Sequence, residues 1–91
     1  MEFLVQIESR ERPPGDDAFQ ANLGERERQR GLELVEAGII RSIWRVPGRH
    51  ANIGIWAAED ASELHEAISS LPAFPWIDVR VTPLARHPLQ P

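Results

Sequence analysis

Apolar residues recur at every second position in two short segments near the ends of the chain. Residues 2–8 place apolar side chains on one face from Phe3 to Ile7, and residues 77–82 repeat the pattern. A period of two is typical of a β-strand with one buried face. Pro83 has no backbone N–H and is expected to end the second of these strands. The pattern therefore predicts one strand at the start of the chain and another close to its end.

Two segments between these strands have apolar residues three or four positions apart, the spacing of an amphipathic helix. The first helix is predicted to begin at Asp16 or Asp17 and to stop at Gly38, because aspartate favours helix starts and glycine favours helix ends. The second is predicted to begin after Asp60, which can cap it, and to end before Pro72.

The middle of the chain has the pattern of a β-hairpin. Residues 39–46 and 50–57 are rich in β-branched and aromatic side chains. Pro47 and Gly48 lie between them and suit the central positions of a type II turn, where proline fixes φ and glycine supplies a positive φ. We expect the two segments to pair as antiparallel strands.

The order of these elements is β-α-β-β-α-β, which predicts an α+β, ferredoxin-like fold. Its four strands form an antiparallel sheet with both helices on one face. Two helices cannot cover Leu4, Trp56 and either Ile43 or Trp44, so apolar surface is expected on the other face. The sequence therefore predicts a homo-oligomer, with sheets pairing as in dimeric α+β barrels.

Composition narrows the class of protein. The 91 residues are expected to form one domain, 1–91, with residues 84–91 as a C-terminal tail. The net charge of −4 argues against a nucleic-acid partner, and the absence of cysteine excludes disulfides and thiolate chemistry. No apolar run is long enough to cross a membrane, and the N-terminus has no signal-peptide pattern. A cytoplasmic protein is expected.

No cofactor or metal is expected from the motifs. The three histidines, at positions 50, 65 and 87, lack the paired spacing that zinc sites usually show. The chain contains neither a glycine-rich phosphate loop nor a dinucleotide-binding fingerprint.

Glu27 is the sharpest candidate for chemistry, because it interrupts the apolar stripe of the first helix. Burial would raise the pKa of its carboxyl toward the range of a general base. Gly31, one turn later, leaves room beside it for a ligand. Two structural explanations stay open at this point: Glu27 is solvated within a charged run, or it pairs with an arginine to hold the fold.

Other candidates lie on the predicted hairpin. Arg41 and Arg45 are expected on one face of its first strand, and an arginine can bind a carboxylate with two parallel hydrogen bonds. His50 and Asn52 are expected on one face of the second strand, where histidine can carry a proton and asparagine can bind an oxyanion. The alternatives are surface or ion-paired arginines, and hydrogen bonds within the hairpin.

Together these residues resemble the muconolactone delta-isomerase family, over nearly the whole chain. The likeness is carried by Glu27, Gly38, Trp44-Arg45-x-x-Gly48-x-x-Ala51-Asn52, Glu63-Leu64-His65, Leu71-Pro72-x-Phe74-Pro75 and Leu84-x-x-His87-Pro88. The resemblance implies paired sheets, assembly into decamers, and a cofactor-free step of the β-ketoadipate pathway. In that step a proton transfer moves the ring double bond of (S)-muconolactone, giving the 3-oxoadipate enol-lactone.

The resemblance also implies roles for individual residues. Glu27 is then the base, Arg45 anchors the acetate arm of the lactone, and His50, Asn52 and Trp44 contact its ring or its carbonyl oxygen. His50 stands where family members commonly carry tyrosine. This difference leaves a substituted muconolactone open as the substrate, for isomerisation or dehalogenation. A non-catalytic module that binds a small ligand is the other alternative, because one fold can host unrelated functions.

Overall fold

The computed structural model describes residues 1–91 and confirms the predicted ferredoxin-like arrangement. Its elements are β1 (Glu2–Ser9), α1 (Asp17–Glu36), β2 (Ile40–Arg45), β3 (Ala51–Ala57), α2 (Ala61–Ser69), a short 3-10 turn (Phe74–Trp76) and β4 (Ile77–Leu84). The strands form one antiparallel sheet in the order β2-β3-β1-β4. The first strand in sequence is thus central, and β2 and β4 lie at the edges.

Side-chain caps fix where both helices begin, as the sequence predicts. Asp16 accepts a hydrogen bond from the Phe19 N–H at 2.9 Å, and Asp60 accepts one from the Glu63 N–H at 2.9 Å. Each bond satisfies an N–H group that the first turn of a helix leaves without a partner. Gly38, just past α1, has a φ of +77°, a conformation that glycine adopts without strain.

Strand β4 differs from the prediction at its end. It continues through Pro83 to Leu84, with Pro83 opposite Phe3 of β1. The expectation that Pro83 ends this strand is therefore wrong. The physical reason is the position of β4 at the edge of the sheet, where one side of the strand has no neighbour that needs a hydrogen-bond donor.

Both helices cover the same face of the sheet. The buried cluster joins apolar side chains of β1 to Leu34 of α1 and to Leu64 and Ile68 of α2. Trp56 belongs to this cluster and is only 1% exposed, so its expected place among the uncovered residues is wrong. Its register explains the difference: Trp56 pairs with Phe3, and paired residues point to the same face of a sheet.

Gly54 lies where three strands approach closely. A Cβ at this position would lie 2.5 Å from the Ser42 carbonyl oxygen, a backbone atom that cannot rotate away. We expect Gly54→Ala to lower the free energy of unfolding by about 1–3 kcal/mol, the usual cost of overpacking. Thermal unfolding of the variant measures this effect.

Gly24→Ala is the matched control, because a Cβ at Gly24 of α1 would meet no atom within 4 Å. That variant should gain about 0.5–1 kcal/mol from helix propensity. A Gly54→Ala chain as stable as the wild type would contradict the close approach of β2 to β3 at this point.

Neither helix has the combination of length and apolar character that crossing a membrane requires.

Candidate active site

One cleft, of about 550 Å³, brings the predicted site residues together. Its walls are α1, the ends of β1, β2 and β3, the hairpin turn, and the loop that follows α2. The volume lies within the usual range for small-molecule sites. The five residues given catalytic or binding roles from the family resemblance all line it: Glu27, Trp44, Arg45, His50 and Asn52.

Glu27 projects from α1 into this cleft and is half-buried. Its Oε2 atom accepts a hydrogen bond from the Ala73 backbone N–H at 2.7 Å. Burial raises the pKa of the Glu27 carboxyl, while the Ala73 N–H and the Arg26 guanidinium oppose that rise. No arginine forms an ion pair with Glu27. Neither a fully solvated Glu27 nor an arginine-paired one therefore matches the geometry.

Gly31 lies one helical turn after Glu27 and also lines the cleft. A Cβ built on Gly31 meets no atom within 4 Å. The space beside the carboxylate is therefore open, as the sequence predicts.

Arg45 is an unpaired cation at the cleft. It is exposed, it lies opposite Asn52 in the register of β2 and β3, and its side chain forms no hydrogen bond or ion pair within the chain.

The prediction that Arg41 lies on the same face of β2 as Arg45 is wrong. A register shift between Ile40 and Ser42 makes Arg41 part of a β-bulge, and Arg41 lines a separate groove with Ser42. Bulges re-aim side chains in this way.

The hairpin turn sets His50 at the rim of the cleft. Gly48 has a φ of +78° and the Arg49 N–H donates to the Val46 carbonyl oxygen at 3.3 Å, which confirms the predicted type II turn. His50 is exposed and precedes β3, and its carbonyl oxygen accepts from the Ser9 N–H at 2.9 Å. The imidazole keeps both ring nitrogens free for a ligand.

Arg49, beside His50, has a structural partner instead. Its Nε and Nη2 atoms donate to the two carboxylate oxygens of Glu8 at 2.7 and 2.8 Å. This bidentate contact ties the turn to β1, and it leaves Arg45 as the arginine of the cleft without a partner.

Two polar atoms at the cleft are buried and have no hydrogen-bond partner: Asn52 Oδ1 and Trp56 Nε1. Sequence reasoning did not connect Trp56 with the site, because the strand pattern does not show that Trp56 and Asn52 point to the same face as Ile7.

Trp44, unlike Trp56, lies mainly outside the cleft. It is 57% exposed, and its pairing with Ile53 puts its side chain on the sheet's other face, so it borders the cleft only at the rim.

The remaining histidines lie outside this cleft. His65 meets the edge of the Phe74 ring, with ring centres 6.3 Å apart, and His87 Nδ1 accepts from the Leu89 N–H at 3.0 Å. No cluster of three or more histidine, aspartate or glutamate side chains is placed to hold a metal ion. The polar groups at the cleft include a half-buried carboxylate, a free guanidinium, an imidazole, an amide and an indole N–H.

Comparison with known proteins gives these groups a context. The family described as Muconolactone delta-isomerase matches residues 1–90. Muconolactone Delta-isomerase 2 of Acinetobacter lwoffii is 38% identical over 87 residues, which cover 93% of this chain and 91% of that protein. Muconolactone Delta-isomerase of Rhodococcus opacus is 39% identical over 62 residues, which cover 68% and 67%.

The fold comparison agrees with the sequence comparison. A crystal structure of muconolactone isomerase superposes with a TM-score of 0.90 at 30% sequence identity, covering 99% of this chain and 94% of that one. The family resemblance predicted from the sequence is confirmed. This chain belongs to the muconolactone delta-isomerase family.

Proposed function

We propose that this protein is a cofactor-free isomerase that converts muconolactone to its enol-lactone, within the degradation of aromatic compounds. One observation carries the proposal: a half-buried carboxylate with a raised pKa, Glu27, and an unpaired guanidinium, Arg45, line the same cleft. The substrate has the complementary groups, a carboxylate arm and a carbon acid activated by the lactone carbonyl. Membership in the family and the shared fold support the same activity.

Glu27 is the base in this proposal. An enol-lactone has its double bond at the ring carbon attached to oxygen, so the proton must leave that carbon. The C–H electrons then delocalise through the ring onto the carbonyl oxygen, and the proton returns at the carbon next to the carbonyl. No net oxidation occurs, so one carboxylate can both remove and return the proton. A pKa raised by burial suits this role, because a base works best when its pKa approaches the operating pH.

The other residues of the cleft bind the substrate. Arg45 holds the acetate arm through its planar pair of donors. His50 and Asn52 contact the lactone oxygens, where negative charge develops in the dienolate intermediate. Trp44 borders the cleft only at its rim, so its proposed contact with the substrate is limited to that edge.

Arg45→Lys is expected to raise KM about 10-fold and to leave the thermal midpoint unchanged. Lysine keeps the charge but loses the two-donor geometry, and Arg45 has no partner within the chain whose loss would affect folding. Arg41→Lys is the matched control, because Arg41 lies on the same strand but lines another groove. If the two variants show equal affinities for the substrate, Arg45 is not the anchor.

We also propose that the protein is a homo-oligomer, with the decamer of the family resemblance as the expected assembly. Trp44 is largely exposed on the face opposite the helices, where Leu4, Ile53 and Ile55 are only partly covered. Covering such a face is a common reason for association. Sedimentation at micromolar concentration should show a multimer, and a stable monomer at that concentration would contradict this proposal.

We place the enzyme in the cytoplasm, where intermediates of aromatic degradation are processed.

The activity is tested by supplying (S)-muconolactone to the purified protein and following formation of the enol-lactone by NMR. A chloro- or methyl-substituted muconolactone, in a parallel reaction, tests the alternative that His50 indicates a different lactone. Faster turnover of a substituted lactone would move the assignment to that substrate. No turnover of any of them, with binding retained, would favour a non-catalytic module.

A further inference from the structure

The loop that follows α2 contacts the proposed base directly. Glu27 and Ala73 are 46 residues apart in the chain, and the Ala73 N–H donates to Glu27 Oε2 at 2.7 Å. Glu27 Oε1 has no hydrogen-bond partner, so the two oxygens of this carboxylate are in different environments. One is held by the backbone and the other has no partner in the chain, on a residue that lines the cleft.

A carboxylate without such a contact has little orientational preference of its own. The terminal torsion of glutamate is broad, so either oxygen can face a substrate. A donor that holds one oxygen selects the orientation, and a charge-assisted bond from a backbone N–H is among the stronger ones. The backbone at Ala73 can thus decide which atom receives the proton.

The loop is held in place without the Ala73 N–H. Leu71 is buried in the core, and the Phe74 N–H donates to the Leu71 carbonyl oxygen at 2.9 Å. The Trp76 N–H donates to the Ala73 carbonyl oxygen, also at 2.9 Å. With its φ of −83° and ψ of 1°, Ala73 occupies the third position of a type I turn. The Ala73 N–H is therefore presented to Glu27 by a preformed turn.

We propose that the Ala73 backbone N–H is the positioning group of the reaction: it holds Glu27 Oε2 and leaves Oε1 as the atom that removes and returns the proton. This inference rests on the proposed role of Glu27 as the base. The same contact opposes the effect of burial on the Glu27 carboxyl, because a donor stabilises the ionised form. It thereby favours the ionised form of the base in a partly desolvated site.

The test removes one backbone N–H and leaves every side chain unchanged. Lactic acid in place of Ala73 replaces the amide by an ester, which has no N–H. Proline is unsuitable, because it is disfavoured at the third position of a type I turn. Phenyllactic acid in place of Phe74 is the matched control, because it removes a bond of the same loop, to Leu71, and leaves the partner of Glu27 intact.

Two readouts are compared in both esters and in the wild type: the acid limb of the kcat/KM pH profile, and the Glu27 carboxyl titration by ¹³C NMR. In the Ala73 ester both midpoints should rise by about one to two pH units, and kcat should fall several-fold, because a hydrogen bond to a charged group is lost. The Phe74 ester should leave both midpoints at the wild-type values.

The possible failures are distinguishable. If neither midpoint moves in the Ala73 ester, the N–H does not position Glu27, and the inference is overturned while the base role stands. If the NMR midpoint moves but the kinetic limb does not, Glu27 is not the base, and the proposed function fails together with the inference. Equal shifts in both esters would attribute the effect to the loop as a whole and would also overturn the inference.

Discussion

Glu27→Gln is expected to lose at least about 10²-fold in turnover while keeping its fold. The amide has nearly the volume of the carboxylate but cannot accept a proton, and a positioned general base typically contributes about 10²–10⁴-fold. The side-chain carbonyl oxygen of the introduced glutamine can still accept the Ala73 N–H, so the loop contact survives the change. Turnover and thermal midpoint are measured on one preparation.

The difference in stability between Glu27→Gln and the wild type is expected to depend on pH. Burial raises the pKa of Glu27 above its ordinary 4.5. Between 4.5 and the raised value the folded chain binds more protons than the unfolded chain, so the free energy of unfolding falls as pH rises. Glutamine does not titrate, so its side chain causes no such fall. The free energy of unfolding of Glu27→Gln, relative to that of the wild type, should therefore rise through that window and stay constant above it.

Glu36→Gln provides the control, because Glu36 is exposed near the end of the same helix and forms no ion pair. It should leave turnover at the wild-type value. A Glu27→Gln chain destabilised by a few kcal/mol, with activity falling only in proportion to the folded fraction, would instead indicate a structural carboxylate.

Gly31→Leu is expected to lower kcat/KM by between about 5- and 150-fold. These factors correspond to about 1–3 kcal/mol, the usual cost of overpacking, which here arises when the substrate binds and not when the chain folds. Gly31 lies one turn from Glu27, and the open space beside it belongs to the cleft. A leucine side chain would occupy the place of the substrate ring. The loss should appear mainly in KM, because Glu27 itself is unchanged.

Gly24→Leu is the control for this substitution. Gly24 lies on the same helix, has equally open space and does not line the cleft. Both leucine variants should gain a few tenths of a kcal/mol or more in helix stability, since glycine is unfavourable inside a helix. Only Gly31→Leu should lose activity. An equally active Gly31→Leu protein would mean that the substrate binds elsewhere.

The features predicted correctly from the sequence depend on local rules. Both helix starts follow from aspartate caps, and the hairpin follows from Pro47-Gly48. Glu27 is identified because it interrupts an apolar stripe, which places it on the covered side of α1. Such features involve residues close together in the chain, so their physical basis can be recognised without the fold.

The features that were wrong or missed depend on pairing between distant segments. The end of β4 depends on its edge position, and the face of Arg41 depends on a bulge that periodicity does not reveal. The burial of Trp56 follows from its register with β1. The Ala73 N–H is a backbone group and has no signal in the sequence at all, because any residue except proline supplies one.

The central claim, proton transfer by Glu27 within this cleft, is tested most directly in deuterated water. Wild type and Glu27→Gln are incubated with (S)-muconolactone, and NMR follows the double bond and the label at the carbon next to the carbonyl. We predict that the wild type moves the double bond, with any solvent label appearing at that carbon, and that the variant loses migration and labelling together by at least about 10²-fold. Migration at an undiminished rate in folded Glu27→Gln would contradict the claim.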